Sequence, residues 1–278
     1  MNTDYIYQSL ITNVYIHGDE LETRNHRVIT AFDLPIVTFT NTPLVTIRKT
    51  AWKKALREME WFMSGDDRCP DELLDWWEGQ LSDDQCYYDG YATQFRKSPS
   101  SLKCSLTFDQ VEYVLNGLRN NPHSRRLIMT TWNPFDMAYI TRTNKNEQTP
   151  TNCHGSFIQF FVRNKTLHIK HYQRSADMLL GLPHNFMQYW SLLLYFAHHA
   201  NLKVGSLIYL IGDAHLYCDP SHDDVVHRIR YLPIDGLQEA NFKLCYRPQP
   251  NTVDYRASDF VMEGEVPEPV IKGRPIRF

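Results

Sequence analysis

The stretch that most restricts the fold is the apolar run over residues 190–197, bounded by Gln188 on one side and by His198 and His199 on the other. It falls well short of the roughly 18 uninterrupted apolar residues a membrane span requires. The pattern therefore predicts a buried helix over about 185–200, with strands at 126–132, 155–162, 167–173 and 206–211. Nearer the N-terminus, Tyr7, Leu10, Ile11 and Val14 recur at helical spacing, and Gly18 follows as a stop. Residues 28–46 are rich in Val, Ile, Thr and Phe and are broken by Pro35 and Pro43, as strands at edges or bends are. Trp52, Ala55, Leu56, Met59 and Phe62 restore a helical period up to Gly65. A further helix is expected over 108–119, with Val111, Val114, Leu115 and Leu118 inward. Ser221-His222-Asp223-Asp224 reads as a capping box ahead of another helix. Strands and helices without a regular βαβ alternation indicate an α+β fold with a mixed sheet and one long buried helix. No Pro/Gly/Ser linker divides the chain, so 1–278 is expected to be a single domain.

A chain of 278 residues, 42% hydrophobic and 13% aromatic, can bury a sizeable core. Its net charge of −3 counts against a general nucleic-acid binder, which needs a basic excess to offset phosphates. Any anion site must be a local Arg cluster. The six cysteines are scattered, and no basic-then-apolar leader begins at Met1, so reduced thiols, a cytoplasmic location and no membrane attachment are expected.

Chemistry-bearing residues concentrate between 151 and 217. Cys153 precedes an alternating strand, where a lone cysteine is more often a small buried hydrophobe than a nucleophile. A nearby cation would favour its thiolate, and Arg174 is the candidate. Arg125 and Arg126 stand at a probable strand start, where guanidinium forks reach phosphates, and Arg174-Ser175 adds a second cation and a hydroxyl. Asn185 would ordinarily be a helix N-cap. Its amide also joins a donor and an acceptor in one plane, matching the N3–H and O4 edge of uracil, whereas Asp there would suit cytosine. Glu58 lies near the inner face of an apolar helix, where a carboxylate becomes an acid or base with a raised pKa, and Glu60 reads as its exposed counterpart. The twelve histidines lack zinc-ligand spacing, and alternation sends His168 and His171 to opposite strand faces, so no metal is expected. A Cys-His hydrolase fails on the same rule, because His154 points away from Cys153.

Taken together, Glu58-Met-Glu-Trp61, Tyr91-Ala-Thr-Gln94, Ser124-Arg125-Arg126, Cys153-His154, Gln173-Arg174-Ser175-Ala-Asp177, Gly181-Leu-Pro-His184-Asn185 and Gly212-Asp-Ala-His215-Leu-Tyr217 resemble the thymidylate synthase family, which includes the pyrimidine-nucleotide hydroxymethylases. The resemblance spans nearly the whole chain. It implies the family's α+β fold and a homodimer built on a sheet face, in which Arg125 and Arg126 reach the partner's nucleotide. Arg24, Arg174 and Ser175 would hold the same phosphate, His215 and Tyr217 the ribose, and Gln173 would be a further substrate-binding residue. Asn185 would select dUMP over dCMP. Asp177 would contact the pterin of the co-substrate 5,10-methylenetetrahydrofolate, with Trp76 or Trp77, Gly181, His184 and Tyr217 along the folate.

The implied mechanism adds the Cys153 thiolate to C6 of uracil, so that C5 attacks the one-carbon unit. Glu58, with Tyr91 and water, then removes the C5 proton, leaving an exocyclic methylene on the base. Hydride gives dTMP and dihydrofolate, whereas water gives 5-hydroxymethyl-dUMP and tetrahydrofolate. Several departures lie on the folate side: Asn25-His26-Arg27-Val28 for a Gly/Thr-rich loop, Asn152 for Pro, His184 for Phe, Ala92 for Gly, and a longer tail ending in Arg277-Phe278. Thymidylate synthase is the leading expectation and dUMP hydroxymethylase the alternative. A non-catalytic descendant binding RNA or protein ranks below both, since Cys153, Asn185 and Arg174 are all present.

Overall fold

The structure, a computed structural model, describes residues 2–23, 26–99, 106–134, 156–233 and 241–271. In chain order the elements are α1 (Thr3–His17), β1 (Asp19–Glu22), β2 (Arg27–Ala31), β3 (Val37–Phe39), α2 (Trp52–Ser64), α3 (Leu74–Trp77), α4 (Tyr91–Lys97), β4 (Ser98–Pro99), β5 (Thr107–Phe108), α5 (Gln110–Asn120), β6 (Ile128–Thr130), β7 (Phe157–Arg163), β8 (Thr166–Asp177), α6 (Leu182–His199), β9 (Lys203–Tyr217), α7 (Pro220–Arg230), β10 (Asn241–Tyr246) and β11 (Phe260–Glu265). The α+β class expected from the sequence is what forms.

The main sheet runs β1-β2-β9-β8-β7-β6, with β3 pairing the other end of β9. All its pairings are antiparallel except β8 with β9, which lie parallel and are joined through α6. One βαβ crossover is therefore present inside an otherwise antiparallel sheet. Its register sets Ser175 beside Asp213 and Asp177 beside His215.

α6 is buried almost all round, as a helix apolar on every side must be. Phe186 meets Tyr209 and Phe196 meets Phe160 on the sheet side, with ring centroids 5.0 and 4.7 Å apart. Gln188 meets α2 on another side, and Tyr195 stands 6.0 Å from Tyr246 of β10 on a third. The helix starts at Leu182 rather than near 185, because Pro183 is accommodated in the first turn, where its missing N–H has no intrahelical partner to lose. Asn185 is thus inside the helix, and its backbone N–H donates to Gly181 O at 3.0 Å. The capping expectation for α7 also shifts. Asp219, not Ser221, is the N-cap, accepting from the Ser221 and His222 N–H groups with Pro220 following.

α2 ends at Gly65, whose φ of 78° is the left-handed turn that glycine tolerates best. A Cβ there would stand 2.7 Å from the Cβ of Arg96 on α4. Gly65→Ala is therefore expected to cost about 1–3 kcal/mol, combining backbone strain with that clash. A thermal midpoint unchanged from wild type would show that α2 and α4 separate without cost.

Candidate active site

Three segments converge. The C-terminal ends of β8 and β9 bring Gln173, Arg174, Ser175 and Asp177 alongside Asp213, His215 and Tyr217, because the two strands run parallel in register. The first turn of α6 follows β8 after a short connection and supplies His184 and Asn185. α2 packs across α6 and supplies Glu58.

Glu58 is 9% exposed. Its Oε1 accepts from the Trp77 indole N–H at 2.6 Å and its Oε2 from Gln188 Nε2 at 2.7 Å. Burial removes water from the charged form and pushes its pKa up to about 7, against the opposing pull of those two bonds and of Lys54. Gln188 Nε2 also donates to Ala55 O at 3.1 Å, so two acceptors fix that atom as nitrogen. Its Oε1 accepts from Asn185 Nδ2 at 2.9 Å, and Asn185 Oδ1 accepts from Gln173 Nε2 at 3.2 Å. Gln173 Nε2 donates as well to Ser175 O at 3.0 Å, and the Tyr209 hydroxyl donates to Gln173 Oε1. A buried relay thus links the carboxylate on α2 to the amide on α6 and on to the strand end. Asn185 retains one N–H and one lone pair beyond these bonds, the complement that a uracil edge needs.

Of the two tryptophans, Trp77 is 4% exposed and wrapped by Trp61 and Tyr87 at 5.0 and 4.8 Å. It serves Glu58 and presents no free face. Trp76 is partly buried, its ring 4.9 Å from His184 with the Lys54 ammonium 5.0 Å above it. Tyr91 is buried at the start of α4 and stacks on Phe62 at 4.3 Å. His184 Nδ1 donates to Leu180 O at 2.7 Å and its Nε2 accepts from the Ala51 N–H at 3.1 Å. Burial holds its pKa down to about 4, so the ring is neutral and both nitrogens are used. Asp177 accepts at Oδ1 from the Leu179 and Leu180 N–H groups, each at 2.9 Å. Its Oδ2 is buried with no hydrogen-bond partner among the described residues, and burial raises its pKa. A further N–H donor would satisfy that oxygen.

Arg174 is exposed, with its guanidinium 5.7 Å from the Trp132 ring. Ser175 Oγ lies 3.5 Å from His215 Nδ1, and the Tyr217 ring is 5.4 Å from His215. Arg125 and Arg126 are exposed in the turn after α5, and neither guanidinium is paired to a described residue. Arg24, Cys153, His154 and the tail residues Arg277 and Phe278 lie outside the described residues. Glu60 is not the freely exposed group the periodicity implied. It pairs with Arg57 at 2.7 Å and accepts from the Ala257 N–H at 2.9 Å, tying the C-terminal segment to α2. It also lines a separate cleft of about 500 Å³ on the other face of α2, with Arg96, Arg119 and Tyr255. Gln188 and Tyr209 escaped the sequence reading, since a glutamine in an apolar run reads as a boundary and a strand tyrosine as core.

A protonatable buried carboxyl, an oriented amide and the Arg174 guanidinium near the end of β8 are groups that acid-base chemistry on an anionic ligand can use. The family model described as thymidylate synthase matches residues 5–276, and the chain belongs to that family. It is accordingly a transferase that delivers a one-carbon unit to C5 of dUMP, with methylenetetrahydrofolate as co-substrate. Among the described residues no group of side chains is arranged to hold a metal ion, and no helix is long and apolar enough to cross a membrane.

Because the folded pKa of Glu58 lies above its unfolded value, the native state holds the proton more tightly between the two. Stability therefore falls as pH rises from the unfolded pKa through about 7. Unfolding free energies of wild type and Glu58→Met, taken from urea titrations between pH 5 and 8.5, should change relative to each other by up to about 3 kcal/mol, with wild type losing stability against the variant as pH rises. Parallel curves would mean that Glu58 ionises as it does in water.

Proposed function

We propose that this enzyme is a thymidylate synthase, converting dUMP to dTMP with release of dihydrofolate. What supports the methyl product over the hydroxymethyl one is His184. It stands where an aromatic wall is expected beside the folate, yet both its nitrogens are consumed by backbone partners. Beside Trp76 it offers a ligand a neutral ring, with no free polar atom to recruit water. That favours hydride over water at the methylene intermediate.

In this reading Cys153 forms the bond to C6, and the electron pair displaced from C5=C6 moves toward O4, where the remaining Asn185 N–H stabilises it. Methylenetetrahydrofolate supplies the one-carbon unit that C5 then takes up. Glu58 as carboxylate, with Tyr91, receives the C5 proton, and its pKa near neutrality suits that transfer. Arg174, Ser175 and Arg24 hold the phosphate, His215 and Tyr217 the ribose, and Gln173, buried with both its amide hydrogens committed, fixes the Asn185 amide. Asp177, Trp76, Gly181 and His184 line the folate. Residues 1–278 act as one catalytic domain.

The enzyme is further read as a homodimer. Phe157 and Phe161 are exposed on β7, and the register sets them beside Tyr172 and His168 on the sheet face away from α6. A second copy there would cover an apolar face and bring Arg125 and Arg126 to its neighbour's phosphate. The described cysteines are unbridged, which suits a reducing cytoplasm.

Incubation with dUMP and methylenetetrahydrofolate, with the nucleotide identified by mass and dihydrofolate followed by absorbance, should yield dTMP and dihydrofolate in equal amounts. Cys153→Ala should abolish turnover. Hydroxymethyl-dUMP without dihydrofolate would identify a dUMP hydroxymethylase instead, and turnover by Cys153→Ala would overturn both.

A further inference from the structure

We infer that Gln188 is a specificity-determining and positioning residue, which holds the Asn185 amide in the one orientation that reads uracil and ties that orientation to the Glu58 carboxylate. The inference rests on the dUMP reading above. An asparagine amide does not discriminate by itself. With oxygen and nitrogen exchanged, the same group accepts from the cytosine N4 amine and donates to cytosine N3. Selectivity for uracil therefore requires that the amide be prevented from turning over.

Two neighbours do this. Gln173 Nε2 donates to Asn185 Oδ1 from the strand side, and its own orientation is fixed by Ser175 O and the Tyr209 hydroxyl. Gln188 Oε1 accepts from Asn185 Nδ2 on the helix side, and its orientation is fixed by two acceptors, Ala55 O and Glu58 Oε2. Gln188 is 1% exposed, so no water replaces these bonds cheaply. A turned Asn185 would set nitrogen against nitrogen at Gln173 and oxygen against oxygen at Gln188. An apolar residue at 188 removes one of the two locks.

The same side chain touches the acid/base group. Glu58 faces Trp77 from α3, Gln188 and the more distant Tyr189 from α6, Lys54 on its own helix and Cys69 from the following loop. Among these, only Trp77 and Gln188 give it a hydrogen bond. Losing the Gln188 bond disfavours the ionised carboxyl, and a second carboxylate in its place disfavours it further.

Two substitutions separate the functions. Gln188→Met removes all three side-chain bonds, to Asn185, Ala55 and Glu58. Gln188→Glu keeps an acceptor for Asn185 Nδ2 but sets a carboxylate against Glu58. Equilibrium binding of dUMP and dCMP by calorimetry, kcat/KM for both nucleotides, the pH dependence of kcat and the thermal midpoint would be measured for each and for wild type. Gln188→Met should lower the preference for dUMP over dCMP by about tenfold, the worth of one buried hydrogen bond. Gln188→Glu should retain the preference. In both variants the acid limb of the kcat profile should move up by about one pH unit. A folded Gln188→Met with unaltered preference and pH limb overturns the inference. Should that variant fail to fold, an unshifted limb in Gln188→Glu overturns it. Wild-type protein that does not bind dUMP overturns the underlying reading instead.

Discussion

Glu58 is a carboxylate inside the interface of two helices, and that position dictates much of what surrounds it. Each of its oxygens needs a donor, since an unsatisfied buried polar group costs about 1–3 kcal/mol and a charged one more. Trp77 supplies one and Gln188 the other. Once Gln188 turns its nitrogen toward α2, its oxygen must face Asn185, whose oxygen must then face Gln173. One ionisable group sets the polarity of a line of amides running from helix layer to sheet. Such a network rigidifies only if complete, and its inner members do have partners at both ends.

The site sits where it does because of the one parallel pair among the described strands of the main sheet. In an antiparallel sheet, neighbouring strands end at opposite edges. The crossover through α6 instead brings the carboxyl ends of β8 and β9 to the same edge. Arg174, Ser175 and Asp177 are thereby set against Asp213 and His215, and the opening turn of α6 arrives beside them. Residues up to 40 apart in sequence become neighbours through one connection.

Much of this was legible beforehand, for identifiable reasons. α2 and α5 are amphipathic helices and α1 buries Tyr7, Leu10, Ile11 and Val14 at helical spacing, so their periodicity showed them, including the inward Glu58. The sequence-motif residues of β8 and β9 read as chemistry but not as strand. Their polar side chains interrupt the apolar alternation, and both strands run several residues beyond the expected ends. The starts of α6 and α7 were misplaced by prolines that open those helices instead of preceding them. Glu60 and Gln188 were misjudged because their partners, Ala257 and Glu58, are 197 and 130 residues away. No local pattern reports a contact of that range.

His184 shows how a polar residue can serve as an apolar wall. Its imidazole is equivalent to a phenyl ring only while both nitrogens are occupied, and one of those partners is the N–H of Ala51, at the head of α2. Seven residues further along the same helix is Glu58. A displacement of α2 would therefore free a ring nitrogen beside Trp76 and loosen the carboxylate from Gln188 together. In the proposed function, water exclusion on the folate side and proton transfer on the base side are thus not independent. They rest on one helix being held in one place, and the left-handed turn at Gly65 and the Glu60 contact to the C-terminal segment hold its far end.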